Sequence, residues 1–67
     1  MKKHIAASTI PRLIENRNLL TWSELVRLIM KTYQMEFNQA VAMIRIALSQ
    51  SIINEHIHQN DKYYKIN

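Results

Sequence analysis

The chain contains no cysteine, no glycine and a single proline among its 67 residues. Without cysteine it has neither disulfides nor thiolate ligands for a structural zinc site. Without glycine it cannot contain a glycine-rich loop of the kind that cradles nucleotide phosphates. Its turns must therefore depend on Asn, Asp, Gln and Ser.

Long hydrophobic runs are also absent, since no stretch approaches the roughly 20 apolar residues of a membrane-spanning helix. The first residues are basic, but the apolar part that follows is too short for a signal peptide, and Pro11 and Arg12 come directly after it. We therefore expect no membrane partner and a cytoplasmic location, which a cysteine-free chain fits.

The length allows one domain over residues 1–67, with a small core. A domain of this size buries only about 60% of the surface that its unfolded chain exposes. Apolar residues make up 48% of the chain, enough to predict a folded protein and not a disordered one. Because disulfides are excluded, a homodimer is one way in which such a small core could be supplemented.

The charge balance is basic. Nine Lys and Arg residues against five Asp and Glu give a formal net charge of +4, and the sequence pI is about 9.8. Such values are typical of nucleic-acid-binding domains, although a few net charges also serve solubility in small proteins. The balance favours a polyanionic partner.

The N-terminal region predicts a flexible basic arm over residues 1–8, which includes Lys2 and Lys3, and a first helix over residues 9–18. Ser8 or Thr9 can cap this helix. Pro11 then falls in the first turn, where proline is tolerated.

The second helix is predicted over residues 21–33, after a connector at residues 19–21 that could be a stub of strand. Thr21 and Glu24 have the spacing of a capping box, in which each side chain bonds the other residue's free backbone amide. The apolar residues at helical spacing predict the buried face: Trp22, Leu25, Val26, Ile29 and Tyr33.

The third helix is predicted over residues 37–50, capped by Asn38 or begun earlier at Glu36. Its predicted inner face is Phe37, Val41, Ile44 and Leu48, flanked by Ala40 and Ala47. Its predicted outer face is Asn38, Gln39, Ala42, Met43, Ile46, Ser49 and Gln50, with Arg45 on the border between the two.

After the third helix the apolar residues no longer recur at helical spacing. Residues 52–66 instead predict a β-hairpin. The turn is expected at residues 59–61 and the returning strand at residues 62–66. Because adjacent strand residues point to opposite faces, we expect Tyr64 in the core and Tyr63 exposed.

Three helices followed by a terminal hairpin resemble the winged helix-turn-helix superfamily, over about residues 9–66. The resemblance implies a mainly α fold with a C-terminal β-hairpin, a third helix that enters the DNA major groove, and a wing that touches adjacent backbone or minor groove. Where many members carry glycine, this chain has Gln34 and Ser51. The resemblance is carried by the helix pair at residues 21–50, by Ser51-Ile52-Ile53 at the start of the wing, and by Tyr63-Tyr64-Lys65-Ile66 in its second strand.

The resemblance implies a sequence-specific DNA-binding protein, a transcriptional regulator that would associate with the nucleoid. Amide side chains can bond adenine, arginine can bond guanine, and an alanine methyl can meet the thymine methyl. The expected base contacts are Asn38, Gln39, Ala42 and Arg45. The expected phosphate contacts are Arg27, Lys31 and Lys62, although solvation explains any single one of them equally well.

The apolar outer residues of the third helix support a second hypothesis. Met43 and Ile46 could form a dimer or partner surface. The chain would then be a protein-binding adaptor or inhibitor on the same scaffold, such as a phage or plasmid accessory protein.

Metal binding and catalysis are both expected to be absent. His56 and His58 project from the same side of a strand and could supply half of a metal site. No cysteine completes such a site, so we predict no metal and no cofactor. The five acidic residues are scattered without pairing, no nucleophile has a base nearby in a short motif, and we predict that the protein is not an enzyme.

Overall fold

A computed structural model describes residues 6–17 and 19–66 of the chain. Its described part is mostly helical, with an antiparallel three-stranded sheet towards the C-terminus, and the coarse fold prediction is thereby confirmed. None of the described helices is both long and apolar enough to cross a membrane. The elements are a 3₁₀ helix Ala7–Thr9, α1 Ile10–Ile14, β1 Leu20–Thr21, α2 Trp22–Tyr33, α3 Phe37–Ser49, β2 Ile53–His58 and β3 Asp61–Ile66.

The prediction of a flexible arm over residues 1–8 is wrong for its last two residues. Ala7–Thr9 forms a 3₁₀ helix, and the Ala7 side chain is buried in the core. A buried methyl group ties this segment to the domain, which the run of small residues did not reveal. Lys2 and Lys3, predicted to lie in the arm, fall outside the described residues.

The first helix is shorter than the predicted residues 9–18, because α1 ends at Ile14 and a turn follows at residues 15–16. Thr9 does not cap it as predicted. Its hydroxyl instead donates to the carbonyl of Ala6 at 2.8 Å. This bond stabilises the preceding 3₁₀ turn, a competition with helix capping that is typical of Thr side chains.

The second helix begins where the sequence predicts. The Thr21 hydroxyl accepts the backbone N–H of Glu24 at 3.2 Å, and the Glu24 carboxylate accepts the backbone N–H of Thr21 at 2.9 Å. The predicted capping box is thus confirmed. Thr21 also closes β1, where it pairs with Tyr63 of β3. One residue therefore joins the sheet to the start of α2.

Substituting Thr21 with alanine should lower the free energy of unfolding by about 1 kcal/mol, the usual cost of an N-cap. Urea denaturation followed by circular dichroism measures this loss. Thr32→Ala is a matched control, because Thr32 is exposed near the end of the same helix. Equal stability of the two variants would contradict the assigned role of the cap.

The cap also makes stability depend on pH. The backbone and side-chain hydrogen bonds from Thr21 lower the pKa of Glu24, and the positive charge of Arg17 lowers it further. A lowered carboxyl pKa stabilises the fold fully above the ordinary value, and this contribution disappears as the pH falls through the lowered value. The Thr21→Ala variant should lose part of this acid-dependent contribution.

A left-handed residue follows each of the two long helices, α2 and α3. Gln34 has a φ of 51° and ends α2, with its N–H bonded to the carbonyl of Met30. Ser51 has a φ of 57°, and the following N–H of Ile52 bonds to the carbonyl of Ala47 at 2.8 Å. Glycine is the usual residue at such helix ends, because it has no Cβ. Gln34 and Ser51 thus hold that conformation at the two positions where the sequence resemblance placed glycine.

The sheet has the order β1-β3-β2, so that the last strand lies in the centre and is antiparallel to both neighbours. Leu20 of β1 pairs with Tyr64, and Glu55 of β2 pairs with the same tyrosine from the other side. The possible stub of strand before α2 is therefore a true edge strand. It connects the N-terminal half of the chain to the hairpin.

The hairpin turn is one residue shorter than the predicted residues 59–61. Gln59 and Asn60 both have positive φ, at 52° and 69°, as the central residues of a type I′ turn require. Asp61 already belongs to β3 and pairs with His58. This two-residue turn matches the twist of the strands.

The core lies between the three helices and the inner face of the sheet. The described residues bury no polar or charged side chain. The ring of Tyr64 packs against that of Trp22, with centroids 5.7 Å apart, and this contact links β3 to the start of α2. Tyr64 is buried as predicted. Six large side chains are fully buried: Ile10, Ile14, Leu25, Ile29, Ile44 and Ile53.

Candidate nucleic-acid interface

The outward side of α3 carries the residues predicted to contact bases. Asn38, Gln39, Ala42 and Arg45 are all exposed. With 3.6 residues per turn, Asn38, Ala42 and Arg45 fall within an arc of about 60°, while Gln39 lies towards the edge of the exposed side. We call the first three residues the outer face of α3. Their side chains can reach a ligand together.

Gln39 has a structural role that the sequence prediction did not include. Its amide oxygen accepts the backbone N–H of Glu36 at 3.1 Å, and Glu36 is the N-cap residue of α3. The predicted adenine contact requires that same oxygen as acceptor together with the amide nitrogen as donor. Bidentate binding of a base by Gln39 would therefore break a bond that stabilises the start of α3.

Arg45 supplies the charge of this helix. It is the only charged residue between Phe37 and Ser49, so α3 itself contains no carboxylate. The single ion pair among residues 6–17 and 19–66 joins Lys62 to Glu55 and does not involve Arg45. The guanidinium is exposed and its five donors remain available for an acceptor outside the protein.

Two of the three predicted phosphate contacts lie together on α2. Arg27 and Lys31 are exposed, one helical turn apart, and line a surface groove of about 270 Å³. The structure adds Arg17, from the segment between α1 and β1, to the same groove. We call this the basic groove; its lining residues are Arg17, Leu20, Glu24, Arg27, Leu28 and Lys31.

Lys62, the third predicted phosphate contact, lies in β3, within the strand predicted over residues 62–66. Its ammonium group is 3.2 Å from the carboxylate of Glu55, across the strand pair. Both side chains are exposed, so the pair contributes little to stability. The pair does, however, partly neutralise the lysine, and a phosphate must compete with Glu55 for it.

The hairpin projects beyond the core. Residues 55–62, which include the whole turn, are all exposed. Ile57 is 66% exposed although its strand face continues from buried Ile53, because the core ends before this part of the sheet. The chain therefore presents a projecting two-stranded hairpin that directly follows α3.

Met43 and Ile46 were predicted to form a partner surface, and this prediction is wrong for Met43. Met43 is only 5% exposed and belongs to the core, whereas Ile46 is 48% exposed. Phe37, predicted to face inward, is 55% exposed. The buried side of α3 is instead centred on Ala40, Ile44 and Ala47 with Met43, since the alanines allow close approach of the neighbouring elements.

Phe37 instead borders a second groove, of about 350 Å³, between α2 and the start of α3. We call it the apolar groove. It shares Arg27 with the basic groove, so this arginine lies between the two. Its lining residues are Trp22, Ser23, Val26, Arg27, Met30 and Phe37.

The two histidines of the hairpin, His56 and His58, lie on one side of β2, as predicted. Both are exposed, and the ring of His58 packs edge-on against Tyr63 with centroids 6.4 Å apart. Within the described ranges, no group of three His, Asp or Glu side chains is placed to hold a metal ion. Tyr63 was predicted to be exposed but is half-buried, in the central strand between Thr21 of β1 and His56 of β2.

Sequence patterns did not predict the observed positions of Arg17 and Phe37. The prediction placed Arg17 in the last turn of a first helix over residues 9–18, but α1 ends at Ile14, so helical spacing could not assign Arg17 to a face. Phe37 is apolar at the start of a helix, where periodicity alone favours burial. Both positions are set by how α2 packs against its neighbours.

Comparisons with known proteins identify no relative of this chain. No family model, curated protein or solved structure was found to match it. Function must therefore be inferred from the surface itself. Its principal features are the outer face of α3, the basic groove and the projecting hairpin.

Proposed function

We propose that the protein is a winged helix-turn-helix protein that binds double-stranded DNA with sequence preference and acts as a transcriptional regulator. The observation that carries this proposal is the outer face of α3, which exposes Asn38, Ala42 and Arg45 on a helix without a carboxylate. The strand order β1-β3-β2 and the exposed hairpin that follows α3 in the chain support it, because a wing must reach past the recognition helix to touch DNA.

In this proposal α3 enters the major groove. Asn38 bonds the N6 and N7 edge of adenine, Arg45 bonds O6 and N7 of guanine, and the Ala42 methyl group meets a thymine methyl. Arg27, Lys31 and Lys62 contact phosphates, which fix the position of the protein without sequence information. Because one module covers few base pairs, a homodimer on repeated half-sites would supply affinity in the cytoplasm.

Salt dependence tests the proposal directly. Each phosphate contact releases counterions, so the logarithm of the binding constant falls with the logarithm of salt concentration by about 0.9 per contact. Three contacts predict a loss of affinity of about 40-fold between 50 and 200 mM salt. Fluorescence anisotropy of a labelled random duplex at several salt concentrations measures the slope. Absence of binding at about 50 mM salt, where the electrostatic attraction is strong, would refute the proposal.

Binding of a protein partner is the second candidate function. The prediction for Met43 fails because that side chain is buried, but Phe37 is exposed beside Trp22 and Met30 in the apolar groove. An exposed aromatic residue next to an apolar groove is a common feature of protein interfaces. Such an interface would bind with little salt dependence, which distinguishes an adaptor or inhibitor from a DNA-binding protein.

A further inference from the structure

Three cationic side chains from two separate segments converge on the basic groove. Arg27 and Lys31 come from α2, and Arg17 comes from the segment that precedes β1. Leu20 and Leu28 supply the apolar part of the lining. Leu20 is itself buried in the core. The convergence therefore depends on the tertiary fold and not on helical spacing alone.

These cations have no ion-pair partner in the part of the chain that the structure describes, where the one ion pair joins Lys62 and Glu55. The groove contains a single carboxylate, that of Glu24. Its Oε1 atom is already an acceptor for the backbone N–H of Thr21 at 2.9 Å. Three cations and one carboxylate leave the groove with a positive charge that the fold itself does not neutralise.

We infer that the basic groove seats a phosphodiester group of the bound DNA backbone, with Arg17 as a third contact beside Arg27 and Lys31. The inference rests on the proposed DNA-binding function and deepens it. A guanidinium group bonds two phosphate oxygens in parallel, and lysine adds a mobile point charge. The phosphate is that of duplex DNA, because the outer face of α3 is suited to the base edges of a duplex.

The basic groove and the apolar groove meet at Arg27 but extend from it in opposite directions around α2. Leu28 lines the basic groove and Met30 lines the apolar one, and these two residues are about 160° apart around the helix. Phe37 at the start of α3 borders only the apolar groove. A phosphate in the basic groove is therefore separate from the bases at α3, so it adds affinity without sequence preference.

Arg17→Ala tests the assignment through the salt slope. Loss of one phosphate contact should reduce the slope of log affinity against log salt by about 0.9, which weakens binding about eightfold at 0.1 M salt relative to 1 M. The loss should be the same for the preferred and for a random duplex, because a phosphate contact carries no sequence information. Fluorescence anisotropy with both duplexes measures slope and preference together.

Glu24→Gln should change the affinity for DNA in the opposite direction. Glutamine keeps the capping box, since Gln serves at that position as Glu does, but it removes the only carboxylate of the groove. Binding should tighten by about twofold to fivefold at low salt, the range expected for one exposed charge interaction. A tighter complex cannot arise from damage to the fold.

Arg12→Ala and Glu15→Gln are the matched controls, because both residues are exposed, lie in or directly after α1 and line neither groove. The groove assignment would be overturned, with DNA binding intact, if Arg17→Ala had the salt slope of Arg12→Ala and Glu24→Gln had the affinity of Glu15→Gln. No binding by the unmodified protein would refute both proposals. If Arg17→Ala is unfolded by circular dichroism, the result with Glu24→Gln decides.

Discussion

Replacing Arg45 with alanine is expected to weaken binding to the preferred duplex by about 5- to 150-fold, because a good bidentate contact to guanine contributes about 1–3 kcal/mol of discrimination. Arg45 is exposed on the outer face of α3, and the described residues hold no carboxylate in an ion pair with it. Binding to a random duplex should fall much less, since only one charge is lost. Competition of both duplexes against a labelled site measures the two effects separately.

Two further variants separate the effect of the Arg45 charge from that of its geometry. Arg45→Lys keeps the charge but loses the planar fork of donors, so random-duplex affinity should be retained while sequence preference declines. Arg12→Ala removes an equal charge from α1 and should leave preference unchanged. If Arg45→Ala retained both the affinity and the preference of the unmodified protein, α3 would not be the recognition helix.

Replacing Ile44 with alanine is expected to cost about 2–5 kcal/mol of folding free energy, the range for truncation of a large core residue. Ile44 is fully buried on α3. Domains gain only about 0.05–0.15 kcal/mol of stability per residue, or roughly 3–10 kcal/mol for this chain. The variant should therefore lose a large share of its stability, and at the low end of that range it should be unfolded at room temperature.

Ile46→Ala is the matched control, because it removes the same atoms from the same helix at a position that is 48% exposed. Its free energy of unfolding should stay within about 0.5 kcal/mol of the unmodified protein, as is usual for surface substitutions. Urea denaturation of both variants compares them directly. Equal losses at the two positions would show that α3 is rotated from the described orientation.

Local signals predicted α2 well. The capping box needs only Thr21 and Glu24 at the correct spacing, and its two hydrogen bonds form within one turn of chain. The buried residues Leu25, Val26 and Ile29 follow from strict helical periodicity, since polar side chains occupy the opposite side. A boundary set by neighbouring residues can be predicted from sequence because no distant contact is needed to specify it.

The buried face of α3 was harder to predict, because the apolar residues of this helix are distributed over most of its circumference. Phe37 and Met43 are similar in hydrophobicity, and periodicity alone could not decide which one enters the core. The structure buries Met43 along with two alanines and leaves Phe37 largely exposed. Small residues mark the side where another element approaches closely, a packing signal that a count of large apolar residues overlooks.

The candidate site was predictable only in part for a similar reason. Asn38, Ala42 and Arg45 share a helix face by spacing alone, so their joint exposure could be expected from the sequence. The role of Gln39 in bonding the Glu36 amide was not anticipated, and neither was the approach of Arg17 to α2. The approach of Arg17 depends on tertiary packing, which local sequence patterns do not specify.

Because β3 is the central strand, the three-stranded sheet closes only after nearly the whole chain has been brought together. Leu20 of β1 pairs with Tyr64, and both long helices lie in the loop that this pairing closes. Closing a longer loop costs more entropy, and proteins with such distant pairings fold more slowly than helical bundles. The helices and the hairpin are local units that can form early, so docking of β1 onto β3 should limit the folding rate.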